Sequence, residues 1–493
     1  MSKTISSEYF KLLFFSIVIS FIAYGFALTN FSLTIDSEQV FLPDTSLALG
    51  RWGTNILRYH IFEGIIPYFT LLLSLILLSL SAVEIAQLFR LNNLMGYIFC
   101  GLFLTFPQMA YQLVFTMQAD VVALGFLTSA LSIKFFIKSL EGSLNLKSAS
   151  YFTFSSLFFM FVIALYQALA FIPIIIYIII LFQNTSSENY NFKTEFKKGL
   201  LFIGLMITSV ILYFISVKII CPNGDGSGFL ANYTQGDKNL FVNFYEIWIA
   251  NIKGSSYYGN KTFLISSIIC VLLIINLFFG ERKNRPIRSF LLLLMMVIPF
   301  IISFFITSGY NPPRIYVTEG IVFAFIIVSF LSMIKKAKIS LIFSSLIMLT
   351  NIYFITMLFW SNHKLYNHDI NIARNIDNSI RAKYPNFDPT SEYVYFFGSL
   401  PYGEHEKFRL PNSEIFGGSF FIWDGGSNDR IISFMKFSDV ASYRKIDNKE
   451  TYTKIKDSIN SMPTWPKSGY IKRIDDVIIV KLGDKKGAKL WVE

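Results

Sequence analysis

The sequence predicts an α-helical, multi-pass membrane protein that ends in a water-exposed α/β domain. Three observations predict it. Hydrophobic residues make up 53% of the 493 residues and charged ones only 15%, with 53 phenylalanines, which is too apolar for a water-soluble enzyme. Most of the cations fall between apolar runs or at their ends. After Trp360 the character changes to mixed acids and bases with Pro, Gly and Asn punctuation.

Apolar runs of about 17 to 25 residues are each long enough to cross the hydrocarbon core as a helix. About eleven such runs occur, at roughly 12–30, 66–88, 95–113, 119–138, 149–166, 168–183, 199–220, 262–280, 288–308, 316–334 and 338–360. The stretch from Tyr151 to Phe182 is unbroken and longer than one membrane thickness, so it divides near Tyr166-Gln167.

Placing the N-terminus in the cytoplasm puts about sixteen Lys and Arg residues on cytoplasmic ends and short loops and about seven on external short loops, as the positive-inside rule requires. That orientation puts the first loop, 31–65, and the C-terminal tail outside. The first apolar run lacks a small-residue cleavage site and reads as a retained span. The transmembrane domain is thus expected over 1–360 and a domain facing the periplasm or cell exterior over 361–493.

Several function classes fall away. The net charge of +11 serves topology rather than a nucleic-acid patch. Cys100, Cys221 and Cys270 form no CxxC pair and lie in or beside apolar runs, as packing thiols do. Neither a Gly-rich phosphate loop nor an HExxH pattern is present.

In the tail, Ile372, Ile376 and Ile380 recur every four residues, which predicts an amphipathic helix ending before Pro385. "EYVYFFGSLP" and "DDVIIVKLG" read as strands. "GGSFFIWDGGSNDR", 417–430, sets aromatics between glycine turns and ends in Asp424, Asp429 and Arg430. Trp423 and Asp424 are candidates to hold a sugar, since aromatic faces and carboxylates suit C–H surfaces and hydroxyls; the same aromatics also suit a small core.

Ionisable groups gather at the external ends of the spans. Asp36, Glu38, Asp44 and Arg51 lie in the first loop, Asp120 opens the fourth span, and Arg314 and Glu319 bracket the start of the tenth. A planar guanidinium pairs bidentately with phosphate, and a carboxylate accepts a proton from an attacking hydroxyl, so these residue types fit transfer from a lipid-borne phosphate to a hydrophilic acceptor. Trp52 is expected to anchor at the membrane interface with Arg51 facing phosphate. Asp120 equally suits a helix cap, and Arg314 a local pair with Glu319.

In order along the chain, "IDSEQ", "GRWGTNIL", "QLVFTMQADVVAL", "YQALA", "NPPRIYV" and an α/β tail resemble the serotype-converting O-antigen glucosyltransferases of bacteria and their prophages, which are similar in plan to the GT-C glycosyltransferases. The resemblance implies a GT-C-like helical fold and transfer of glucose from undecaprenyl-phosphate-glucose to the O-antigen polysaccharide of lipopolysaccharide at the periplasmic face. It implies Asp36 or Glu38 as the catalytic acid, with Arg51, Asp120 and Arg314 lining the donor site; Asp44 and Trp52 of the first loop are further candidates for substrate binding. Ser37 separates the two acids, and the sequence does not rank them. No cofactor is required, although clustered carboxylates could hold Mg²⁺. An O-antigen polymerase or a lipid-linked sugar flippase would share the spans and external acids; a flippase should carry ionisable groups through its midplane, and a polymerase a large loop between spans.

Overall fold

The computed structural model describes residues 2–39, 43–62, 66–91, 93–141, 145–187, 190–221, 238–279, 284–306, 308–401, 407–446 and 448–485. The chain divides into two compact units: Met1–Thr29 with Phe41–Met357, and Asn30–Val40 with Leu358–Glu493. The first-loop segment carrying Asp36 and Glu38 therefore belongs with the C-terminal residues.

The first unit is a helical bundle. Among the described residues nine helices are long and apolar enough to cross a membrane, or ten if the bent pair Leu94–Leu104 and Pro107–Leu113 is one span, against the eleven expected. The remaining run, 316–334, supplies only the thirteen-residue helix Glu319–Leu331. The division near Tyr166 has a local cause in the backbone: the helix Leu146–Leu165 stops, Tyr166 is extended at φ −161° and ψ 121°, and a 3₁₀ turn Gln167–Ala170 leads into Phe171–Asn184. Asn145 and Asn191 cap their helices by accepting from Ser148 N–H and Thr194 N–H.

The helix Phe192–Ile220 shows how apolar patterning works when lipid is the solvent. Ile203, Ile207, Ile211 and Phe214 are exposed along one stripe, while Phe202, Leu205, Ser209 and Tyr213 are buried on the other. Large exposed hydrophobics at helical spacing are what a bilayer-facing surface needs.

In the second unit, β1 (Tyr393–Phe397), β2 (Ile471–Ile474) and β3 (Val477–Lys481) form a sheet in the order β1-β3-β2. β1 and β3 pair in parallel, β2 and β3 antiparallel. Asp475, at φ 50°, makes the tight β2–β3 turn. The two strands expected from sequence are β1 and β3; β2 is an addition. One face of the sheet buries Tyr393, Tyr395, Val477 and Ile479 with Tyr452, Ile455 and Ile459 of the helix Lys449–Ser461. The isoleucines at 372, 376 and 380 are buried as expected, but they belong to a single helix, Ala337–Lys383, continuous with the last apolar run. Phe420 stacks on Phe434 with centroids 4.2 Å apart, so this aromatic of the glycine-flanked stretch fills core.

Candidate functional site

Within the helical unit the quoted motifs meet in pairs. Arg51 Nε donates to Gln167 Oε1 at 2.9 Å, and the guanidinium lies 4.6 Å from the Tyr166 ring centroid. Gln167 Nε2 in turn donates to the Leu49 carbonyl at 2.8 Å, and Thr54 Oγ1 to the Leu165 carbonyl at 2.6 Å. The break between two helices leaves backbone groups without helical partners, and Thr54 donates to one of them, the Leu165 carbonyl. Gly50, at φ +69°, has no room for a side chain, because a Cβ would sit 2.7 Å from Tyr213 Oη. Trp52, expected at the membrane interface, is instead buried, with Nε1–H donating to Ser216 Oγ at 2.9 Å; its indole fills a gap between helices.

The second pairing joins 108–120 to 311–316. Gln108 Nε2 donates to the Pro313 carbonyl at 3.0 Å and Gln112 Nε2 to the Arg314 carbonyl. The Arg314 guanidinium lies 5.1 Å from the Phe115 ring centroid and 5.7 Å from that of Tyr310. Glu319 does not serve as its local partner: its two oxygens accept from Tyr257 Oη at 2.7 Å and Asn260 Nδ2 at 2.9 Å. Asp120 follows the cap position, which Gln118 occupies, and pairs with Arg58. Both are almost wholly buried, and this ion pair links the two sets of motifs. Asp44 falls in the short helix Pro43–Ala48, with its side chain outside those described.

The C-terminal unit gathers the other predicted residues around Arg430. This arginine is the third residue of the helix Asn428–Phe437. Its Nη1 donates to Glu38 Oε1, its Nη2 to Asp36 Oδ1 at 3.2 Å and to Asp424 Oδ2 at 2.7 Å, and its Nε to the same Asp424 oxygen at 3.1 Å. Side-chain exposure falls steeply across the cluster: 48% for Asp36, 43% for Asp424, 6% for Arg430 and none for Glu38. Burial pushes the Glu38 carboxyl up to about 7, against the pull of Arg430. Glu38 Oε2 and Ser37 Oγ are buried without hydrogen-bond partners among the described residues. Trp423 is half-buried on the turn that carries Asp424.

The backbone here is held in unusual conformations. Asp36 and Asp424 have φ of 74° and 54°, a region that costs an L-residue about 1–2 kcal/mol, though aspartate visits it more readily than most. Gly426 is obligatory at φ +84°, since a Cβ would meet the Gly398 carbonyl oxygen at 2.1 Å. Asp369 accepts from Ser419 Oγ at 2.9 Å and Phe420 N–H at 2.8 Å, which fixes the same loop from the long helix. Ile35 lies against Gly418, where a Cβ would approach its Cγ1 to 2.6 Å.

The donor set does not fit Mg²⁺. A guanidinium already occupies the focus of the three carboxylates, and a divalent ion there would face its charge. Among the described residues no group of three or more His, Cys, Asp or Glu side chains is arranged to hold a metal.

The structure thus brings Asp36, Glu38 and Asp424 together, and places Arg51, Trp52, Asp120 and Arg314 among the contacts of the helical unit. Sequence reasoning missed Arg430 and Arg58 as site residues. Both were visible as charges, but their partners lie 392 and 62 residues away.

No curated protein and no solved structure matches the chain. The family described as "Glucosyl transferase GtrII" matches residues 25–334, well over half of it. That span holds the first-loop acids and every motif of the helical unit described above, and stops short of Asp424 and Arg430. The chain belongs to the GtrII glucosyl transferase family, the serotype-converting glucosyltransferases that act in O-antigen modification.

Proposed function

We propose that this chain moves a glucosyl group from undecaprenyl-phosphate-glucose to a hydroxyl of the O-antigen polysaccharide, at the periplasmic face of the bacterial inner membrane, by direct displacement. The acceptor oxygen attacks the anomeric carbon, the bond from that carbon to the phosphate oxygen breaks, and the hydroxyl proton passes to a carboxylate. Polyprenyl phosphate departs as a stable anion, so no general acid is needed. No step passes through a metal.

The observation that carries this reading is the contrast between the two first-loop acids. Asp36 is half-exposed, so a hydroxyl can approach it, whereas the Glu38 side chain is wholly enclosed. Asp36 is therefore assigned as the base and Glu38 as its buried neighbour. Arg314, with an aromatic on either side, is assigned to the carrier phosphate, where a planar fork suits two phosphate oxygens. Trp423 and Asp424 are assigned to the acceptor sugar. Each role rests on the residue's own surroundings.

Asp36→Asn tests the assignment. It keeps size and an acceptor oxygen for Arg430 but cannot take the proton, and general-base catalysis typically contributes about 10²- to 10⁴-fold. Mass spectrometry of O-antigen from cells supplied with the donor should show the added hexose with the native chain and nearly none with the variant at equal membrane abundance. Near-normal modification by Asp36→Asn would remove Asp36 as the base.

A further inference from the structure

We infer that Arg430, which lies outside the stretch that matches the family, is the positioning residue of the first-loop acids: it fixes where the Asp36 carboxylate points and ties it to Glu38 and Asp424. The inference deepens the proposed reaction and rests on it for the role of Asp36.

Four observations carry it. The guanidinium uses its three nitrogens on three acids from two remote segments, with Nη2 shared between Asp36 and Asp424. It is buried while two of its partners are half-open, so it forms the floor beneath them. It sits in the first turn of a helix, where the macrodipole disfavours a cation, which makes the carboxylates its compensation. Lastly, Arg430 is the cation that pairs with the enclosed Glu38 carboxyl, which otherwise meets backbone N–H groups of its own segment.

The charges facing Asp36 come from every element around it: Glu38 from its own segment, Asp424 from the turn Trp423–Gly425, and Arg430 from the helix Asn428–Phe437. When Asp36 accepts the acceptor's proton it becomes neutral, and Arg430 keeps Asp424 and Glu38 as anchors. The floor therefore stays in place through turnover.

A staple that merely stabilised the fold would lower protein abundance and leave the chemistry alone. A positioning cation does more. The test uses the full-length chain in lipid nanodiscs, undecaprenyl-phosphate-glucose with a radiolabel in the sugar, purified O-antigen lipopolysaccharide, and the variants Arg430→Met and Arg430→Lys. With methionine, amide hydrogen exchange at residues 34–38 should rise at least about tenfold while the β1 and β3 amides keep theirs. Transfer should fall about 10²-fold through kcat rather than donor KM, as misplacement by about an ångström does. Lysine keeps the charge but loses the fork, so it should restore abundance more fully than kcat.

Unchanged exchange at 34–38 in the methionine variant would overturn the inference, as would a normal kcat. If the methionine variant does not accumulate, the lysine variant decides: raised exchange at 34–38 with a lowered kcat supports the inference, and wild-type values of both overturn it. Should the native chain transfer no glucose to this acceptor, the proposed reaction falls, and the exchange at 34–38 alone judges whether Arg430 positions the acids.

Discussion

Replacing Glu38 by Gln isolates the energetic effect of enclosing a carboxyl. Burial holds the folded-state value at about 7 against an ordinary value of 4.5. A group whose value is raised by folding binds its proton more tightly in the native state, so its contribution is fully present below about 4.5 and is lost as pH rises through about 7. At about 1.4 kcal/mol per pH unit the whole loss is about 3 kcal/mol, most of it between pH 5 and 7. Glutamine mimics the protonated acid in shape and does not titrate. The C-terminal unit of Glu38→Gln should therefore be nearly as stable as the native one at pH 4.5 and more stable than it by up to about 3 kcal/mol at pH 8. Amide exchange of β3 in the full-length chain, corrected for intrinsic rates, reads this opening energy across the range. Parallel pH profiles for the two proteins would refute the reasoning, because the enclosed carboxyl would then titrate no differently from one in water.

Three further outcomes are expected. Arg58→Met should lower the yield of inserted protein by the equivalent of about 3–5 kcal/mol, since Asp120 is left as a lone buried charge, whereas Arg58→Met with Asp120→Leu should recover most of it; equal yields for the single and double variants would argue against the ion pair. Arg314→Lys should raise the donor concentration needed for half-maximal transfer about tenfold, checked by donor titration at matched abundance, and an unchanged titration would remove Arg314 from the carrier phosphate. Alkaline phosphatase fused after Glu493 should be active and a cytoplasm-dependent reporter silent if the tail is periplasmic; the opposite pattern would reverse the proposed orientation.

The helices were legible because lipid-crossing segments announce themselves by length and apolarity, and even the break at Tyr166-Gln167 followed from a run too long for one crossing. Legible too were β1 and β3, whose residues are apolar on both faces. The sequence could not show that Ala337–Lys383 is one helix, because its two halves obey different hydrophobic patterns on either side of Trp360. The acids at 36, 38 and 424 were recognisable as chemistry, since carboxylates beside a membrane require a reason. What joins them was not, because an ion pair has no local sequence signature. Arg430 was simply the last residue of a glycine-punctuated stretch, and Trp52 read as an interfacial anchor, until burial distinguished them.

The 392-residue separation between Glu38 and Arg430 also sets a clock. Synthesis at about 5–20 residues per second means that the first-loop acids leave the ribosome about 20–80 s before the arginine that receives them. During that interval Asp36 and Glu38 remain without their cation, as ordinary hydrated carboxylates, while helix after helix enters the bilayer. The centre can assemble only near the end of translation, so a chain cut short before Arg430 would carry nearly all the membrane helices and every matched family motif without the residue on which the acids converge.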